Sequence, residues 1–166
     1  MKKWTILKGC HYSTFIPTIK KIKDGLELTR EFEFTDSCKY QIDEASCVNK
    51  LFGFCFGLFG VHKSSIRFGW TYDNIEDKFI LWNYCYENGQ LDKHFINDAK
   101  FNPGDIFRVT LKVHDEGSNI KKVEMFINDE FVHAHDYQLK NKWLFTLGFY
   151  FGGNTRAPHK MQLNVY

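Results

Sequence analysis

Carboxylates two residues apart on an extended segment share a face, and Glu31 and Glu33 stand in that relation, roughly 7 Å apart by strand rise. A retaining glycoside hydrolase needs two carboxyl groups about 5–5.5 Å apart, one as nucleophile and one as acid. The run from Glu27 to Glu33 has the parity for that chemistry, but a solvent-facing row of acids on a half-buried strand explains it more simply. His133 and His135 share the same spacing, and two such imidazoles can hold zinc or nickel once a third ligand arrives. Exposed histidines flanking a hairpin are the plainer reading, and no metal site is assigned. The cluster Asp73-Asn74-Ile75-Glu76-Asp77 carries the oxygen ligands that calcium takes, although tight-turn composition accounts for it without an ion. Cys10 and His11 are adjacent, so on an extended chain they point to opposite sides and make a poor nucleophile–base pair.

A second set of residues suits recognition rather than bond breaking. Gly53, Gly57, Gly69, Gly148 and Gly152 all fall opposite the bulky face of their segments. If those segments are neighbours, one face of a sheet is stripped of side chains, and Arg67, Thr71, Asn83 and Tyr150 are expected to project from it. An open floor with a few polar groups and an aromatic rim suits a sugar, whose C–H face stacks on an aromatic ring while its hydroxyls meet fixed partners. Tyr84 or Tyr150 would supply the stacking. Asn154, Arg156 and His159 lie in a loop opened by Gly152-Gly153 and would reach the same ligand from the rim. The plainer alternatives are that the strand glycines permit bulges, curvature or a covering loop, and that Gly152-Gly153 supply the positive φ of a tight connection.

The elements that must position these groups read as strands throughout. Lys3 to Leu7 is a short N-terminal edge strand, residues 9–25 are irregular, and Leu26 to Phe34 alternates with only Arg30 spoiling its apolar side. Residues 35–50 are polar, a loop or one helical turn around Asp43-Glu44-Ala45. From Leu51 to Glu87 run three aromatic segments. Phe52, Phe54, Phe56 and Leu58 share a face in the first, and Ile66, Phe68, Trp70 and Tyr72 in the second. In the third, Ile80, Trp82, Tyr84 and Tyr86 oppose Phe79, Leu81, Asn83 and Cys85, so both faces are apolar and the strand is buried on both sides or lines a groove. Asn88-Gly89 is a turn; Phe107 to Val113 alternates; Glu116-Gly117-Ser118-Asn119 and Asn128-Asp129 turn the chain around Val123 to Ile127 and into Phe131 to His135. Trp143 to Phe151 reads as one long aromatic strand and Met161 to Val165 as a closing strand. Strand spacing of about ten residues without helical periodicity indicates an all-β sandwich over residues 1–166.

Composition removes several classes. Net charge is +2 with acids and bases interspersed, so the concentrated basic surface of a nucleic-acid binder is missing. No run approaches the ~18 apolar residues of a membrane-spanning helix, and the opening MKKWTILKGCHYS lacks the apolar core of about 7–15 residues of a signal peptide. Five cysteines without a C-x-x-C pair favour reduced thiols, with Cys55 and Cys85 as small buried apolar residues.

Val123-Glu124-Met125-Phe126-Ile127-Asn128-Asp129-Glu130-Phe131-Val132 resembles a hairpin of the concanavalin A-like jelly-roll superfamily, the lectin and laminin G type of sandwich, with Asp129 where a glycine is usual. Leu147 to Asn154, Ala157-Pro158 and Met161 to Val165 are similar to its late strand, loop and final strand. The resemblance implies an antiparallel jelly roll of about a dozen strands with its terminal strands paired. It also implies loops that complete a ligand site at the rim of the concave face. Hydrolases of the superfamily carry Glu-x-Asp-x-Glu or Glu-x-Asp-x-x-Glu strands, and the run around Glu31 lacks the central Asp; the Tyr/His/Arg/Gln set of the lyases finds no match. The expectation is therefore a non-catalytic module that binds a glycan through Arg67, Thr71, Asn83, Tyr84, Tyr150, Asn154 and Arg156, with no cofactor. The alternatives are a structural or adhesion module docking on a protein surface, such as a virion decoration or fibre component, and a glycoside hydrolase or polysaccharide lyase.

Overall fold

A computed structural model of the protein describes residues 1–41, 48–57, 60–115, 117 and 119–166. The helical turn expected around Asp43-Glu44-Ala45 and the placement of Leu58 lie outside the described residues. Twelve strands are present among those described: β1 (Lys2–Ile6), β2 (Ile19–Lys21), β3 (Leu26–Phe34), β4 (Asn49–Phe56), β5 (Ser65–Asp73), β6 (Lys78–Glu87), β7 (Gln90–Phe101), β8 (Ile106–His114), β9 (Ile120–Ile127), β10 (Glu130–Gln138), β11 (Trp143–Leu147) and β12 (Met161–Val165). They form two six-stranded sheets, β1-β12-β3-β8-β9-β10 and β2-β11-β4-β5-β6-β7, every pairing antiparallel. This is the all-β sandwich that the alternation implied and the jelly roll that the resemblance implied, and the terminal strands β1 and β12 are paired as expected.

Alternation decides which side chains meet between the layers. From the first sheet come Leu28, Phe32, Phe34, Phe107, Val109, Leu111, Val113, Val123 and Met125; from the second come Phe52, Phe54, Phe56, Ile66, Phe68, Trp70, Phe79 and Leu81. The aromatics stack as well as fill: Phe34 lies 4.2 Å from Phe79 between ring centroids, and Trp70 lies 5.5 Å from Phe149. Each such side chain contributes about 1.5–3 kcal/mol of transfer free energy, so one aromatic-rich layer suffices to hold the two sheets together. Arg30, out of place in the sequence pattern, sits over the Phe52 ring at 5.7 Å, in a cleft of about 710 Å³ at the β1 and β2 end of the sandwich.

Two hairpins turn on left-handed residues. Asn88 and Gly89 have φ of 50° and 82°, Asn128 and Asp129 of 50° and 69°. Both positions positive is the arrangement whose twist matches the flanking strands. Asp129 tolerates it in place of the usual glycine, and its carboxylate reaches Arg108 Nη1 at 3.0 Å.

The strand assignments need three corrections. β7 is twelve residues long yet almost wholly exposed, an edge strand with no alternation to reveal it; opposite Leu81 it is kinked, with Asp98 at φ 61°. β2 lies inside the segment read as irregular, and its three residues are too few to show a period. The aromatic strand from Trp143 ends at Leu147; beyond Gly148, which the Phe15 ring covers, only an isolated pairing of Tyr150 with Lys50 and Tyr12 continues it.

Candidate functional site

The face of the second sheet that points away from the core is ordered in rows by strand register. One row runs Gly53, Arg67, Tyr84, Lys93 across β4 to β7, and the next runs Lys50, Gly69, Trp82, Phe95. A bulge at Leu51 puts Lys50 here: strict alternation would send it inward with Phe52, and the extra residue reverses its side. Gly53 permits the close approach, since a Cβ there would stand 2.1 Å from the Ile66 carbonyl oxygen and 2.6 Å from Arg67 Cα.

Two cations are buried in this face. Arg67 is 6% exposed, its Cζ 4.9 Å from the Tyr84 ring centroid. Among the described residues neither Nε nor Nη2 has a hydrogen-bond partner, and burial pulls the guanidinium below its ordinary pKa. Lys50 is 7% exposed; its Nζ lies 4.6 Å from the Tyr84 ring and 5.5 Å from that of Tyr150, and donates to the Gly152 carbonyl at 3.3 Å. Tyr84 thus packs against both cations. Tyr150 is fixed by backbone hydrogen bonds to Lys50 of 2.8 and 2.9 Å, with His11 stacked on its ring at 5.4 Å and Tyr12 edge-on at 5.1 Å. Its hydroxyl is raised, first by burial and then by Tyr12, while Arg67 acts in the opposite sense. His11 Nδ1 donates to the Phe151 carbonyl at 2.9 Å, which in the neutral ring leaves Nε2 as the basic nitrogen.

Along the second row, Trp82 Nε1 donates to Thr71 Oγ1 at 2.9 Å, and its ring meets Phe95 edge-on at 6.0 Å. Ile80, Trp82, Phe95 and Lys100 help line a cavity of about 470 Å³ there. The face therefore offers an aromatic shelf at one side and a tyrosine–cation cluster at the other.

Of the residues expected to share one site, Arg67, Tyr84 and Tyr150 are brought together, and Thr71 acts by orienting Trp82. Asn83 is not among them. It pairs in register with Phe68, faces the core side and is fully buried, with its amide between His94 and His133. The bulky Trp82, Tyr84 and Tyr86 resembled a core face, whereas the core is filled from the other side by Phe79, Leu81 and Cys85. Asn154 and Arg156 are exposed in the Gly152–Pro158 loop, and no hydrogen bond, ion pair or ring contact joins them to the cluster among the described residues. The glycines do not leave an open floor: Gly53 lies under Arg67, Gly69 under Val48 and Gly148 under Phe15. Lys50, His11 and Tyr12 were missed, the first because a bulge is invisible in a periodic reading, the others because the loop that carries them has no period at all.

The other candidate groups are engaged elsewhere. Glu27, Glu31 and Glu33 lie on the outer face of the opposite sheet, where Glu31 meets Arg108 at 2.8 Å, Glu27 meets Lys112 at 3.5 Å and Glu33 accepts from Asn164 and Tyr166. Asp73 accepts from the backbone N–H groups of Ile75 and Glu76, Asp77 holds Lys39 and the Tyr72 hydroxyl, and Glu76 holds Lys100.

No family model and no curated protein sequence matches this chain. Solved structures do. The alginate lyase Aly36B covers 98% of this chain and 77% of its own at a TM-score of 0.68 and 15% identity, and variants of it have been solved with alginate tri- and tetrasaccharides. An endo-β-1,4-glucuronan lyase from the fungus Trichoderma reesei covers 97% of this chain and 75% of its own at a TM-score of 0.50 and 15% identity. A variant of human galectin-16 covers 95% of this chain and 98% of its own at a TM-score of 0.50 and 10% identity. The expectation that the chain is not an enzyme is overturned here: the structures that match nearly its whole length include polysaccharide lyases beside a galectin, so this arrangement of strands is shared by enzymes. At these identities the likeness establishes the fold, and the chain has the concanavalin A-like jelly-roll architecture.

Proposed function

We propose that the outward face of the second sheet binds an acidic polysaccharide built from uronic acids and cleaves it by β-elimination. The observation that carries this reading is Arg67: a guanidinium 6% exposed, two of its nitrogens without partners among the described residues, set beside Lys50 and two tyrosines. A buried unpaired cation is costly, and a carboxylate accepting from it removes that cost. The similar structures support the substrate class, since alginate and glucuronan are both chains of uronic acids.

The chemistry follows from the groups at hand. Arg67 and Lys50 stabilise the negative charge that a uronate carboxylate gathers as the proton on C5 is removed. His11 Nε2 takes that proton, and the electron pair forms the C4–C5 double bond as the C4–O4 bond breaks. The leaving oxygen receives a proton from the tyrosine. Trp82 and Phe95 offer stacking surface to neighbouring sugars. A hydrolase mechanism lacks support, because the paired glutamates lie on the other sheet.

The test is to incubate the purified chain with alginate, glucuronan and a neutral glucan and to follow the ultraviolet absorbance of the new double bond. Product from a polyuronate but not from the neutral polymer, lost in Arg67→Ala, is the expected result. Neither cleavage nor binding of any polyuronate by a folded wild-type chain would sink the reading.

A further inference from the structure

On the other side of β6 from Arg67 lies a second cluster that the elimination site does not use. β7 and β10 are the edge strands of their sheets on the same side of the sandwich. A bulge at Val132 resets the phase of β10, so that His133, His135 and Tyr137 alternate on one side of the strand. Cys85 projects inward from β6 on the same parity as Asn83 and is fully buried. The ligand atoms of Cys85, His133 and His135 all lie within 4.8 Å of one another. Tetrahedral coordination with Zn–S near 2.3 Å and Zn–N near 2.0–2.1 Å needs ligand separations of about 3.3–3.6 Å, so closing the site takes about 1 Å of side-chain adjustment.

We propose that Cys85, His133 and His135 form a binding site for one divalent transition metal ion of the zinc class, separate from the polysaccharide face. One thiolate with two imidazoles is a donor set that suits zinc, cobalt, nickel or copper and not calcium or magnesium. The surrounding groups are those that orient metal-binding imidazoles. Glu87 Oε2 stands 3.3 Å from His135 Nε2, a carboxylate holding one ring nitrogen and leaving the other for the ion. Asn83 Oδ1 accepts from the His94 backbone N–H at 2.7 Å, which fixes its Nδ2 toward the His94 and His133 rings at 2.9 and 3.3 Å. Each ring then accepts through Nε2, and an ion replaces the weaker of the two hydrogen bonds. Desolvation, with His94 and His135 nearby, keeps His133 below the ordinary histidine pKa, and the neutral form is the one that ligates. Burial pushes the Cys85 thiol up to about 12, so it is protonated before the ion arrives. Binding forms the metal–sulfur bond as the thiol proton leaves to solvent. Water completes the coordination.

Cobalt(II) added to the chelator-treated chain reports the site directly. Expected are one equivalent bound, a thiolate-to-cobalt charge-transfer band, and displacement by zinc. Cys85→Ser abolishes the band, and His135→Gln weakens zinc binding more than the 10–100-fold typical of losing a supporting residue. Cys10→Ser, which removes the exposed cysteine beside His11, changes nothing. Thermal melts run alongside: zinc raises the midpoint of the wild type and not that of His135→Gln, a readout that stands even if Cys85→Ser folds poorly. Absence of a band in the wild type, a band that survives in Cys85→Ser or disappears in Cys10→Ser, or equal zinc affinity in His135→Gln would overturn the proposal. Retention of polyuronate cleavage by metal-free protein distinguishes this site from the elimination site.

Discussion

Replacing Gly53 with alanine tests the geometry on which the site rests. The added Cβ would lie 2.1 Å from the Ile66 carbonyl oxygen, 2.6 Å from Arg67 Cα and 2.9 Å from Arg67 Cγ, where ordinary contact begins at 3.4 Å. The shortfall at the oxygen is about 1.3 Å, and both of the nearer atoms belong to backbone, so no side-chain rotation relieves it. β4 and β5 must separate locally, loosening about two ladder hydrogen bonds worth ~1 kcal/mol each and adding overpacking strain of 1–3 kcal/mol. Destabilisation of about 3–5 kcal/mol is expected. Gly148→Ala is the control: its Cβ would meet Phe15 Cγ at 2.2 Å and Cβ at 2.7 Å, side-chain atoms of a half-buried residue outside any strand, whose loop can shift as a β-ladder cannot. That change is expected to cost about 1 kcal/mol. Urea denaturation followed by tryptophan fluorescence measures both, as a lowered midpoint at unchanged slope. Gly53→Ala within 0.5 kcal/mol of wild type, or Gly148→Ala costing more, would refute the close-approach argument.

Arg67→Met removes a buried cation whose Nε and Nη2 lack partners among the described residues, and is expected to raise stability by about 1–2 kcal/mol while abolishing polyuronate binding; denaturation and calorimetry together read the opposed effects. Lys121, 5% exposed, pairs with Asp115 at 2.5 Å, and this hydrogen bond holds the Asp115 carboxyl below its ordinary range. A folded pKa below the unfolded one gives stability that is present above the unfolded pKa of about 3.8 and is lost as pH falls through the folded value. Asp115→Asn should cost about 1 kcal/mol at pH 7, with the difference from wild type vanishing in acid, as denaturation curves across pH 2–7 would show. Tyr137, fully buried, donates its hydroxyl to the Ser65 carbonyl at 2.8 Å across the layers. Tyr137→Phe leaves that oxygen without its donor and is expected to lower thermal stability by about 1–2 kcal/mol, measured by calorimetry.

The chain's alternation was enough to define the sandwich. Phe52, Phe54 and Phe56, or Phe107, Val109, Leu111 and Val113, have one way to bury their apolar face, and Asn88-Gly89 and Asn128-Asp129 have backbone conformations that only tight hairpins use. Arg67 and Tyr150 were legible as neighbours on one face, Arg67 from that alternation and Tyr150 from the glycines beside it, and Tyr84 was named only for its ring. What only the tertiary structure decided is everything that depends on register. Pairing Arg67 with Tyr84 rather than with Asn83 sends the asparagine to the histidines on the other side of the sheet, a one-residue difference that period alone cannot express. The bulges at Leu51 and Val132 likewise reverse a side chain's direction without leaving a mark in the hydrophobic pattern, and they bring Lys50 to the cations and His133 toward Cys85. Local sequence settles which residues must leave water. Which polar residues meet is set by long-range strand pairing, because a strand's two faces are equivalent until its neighbours fix them.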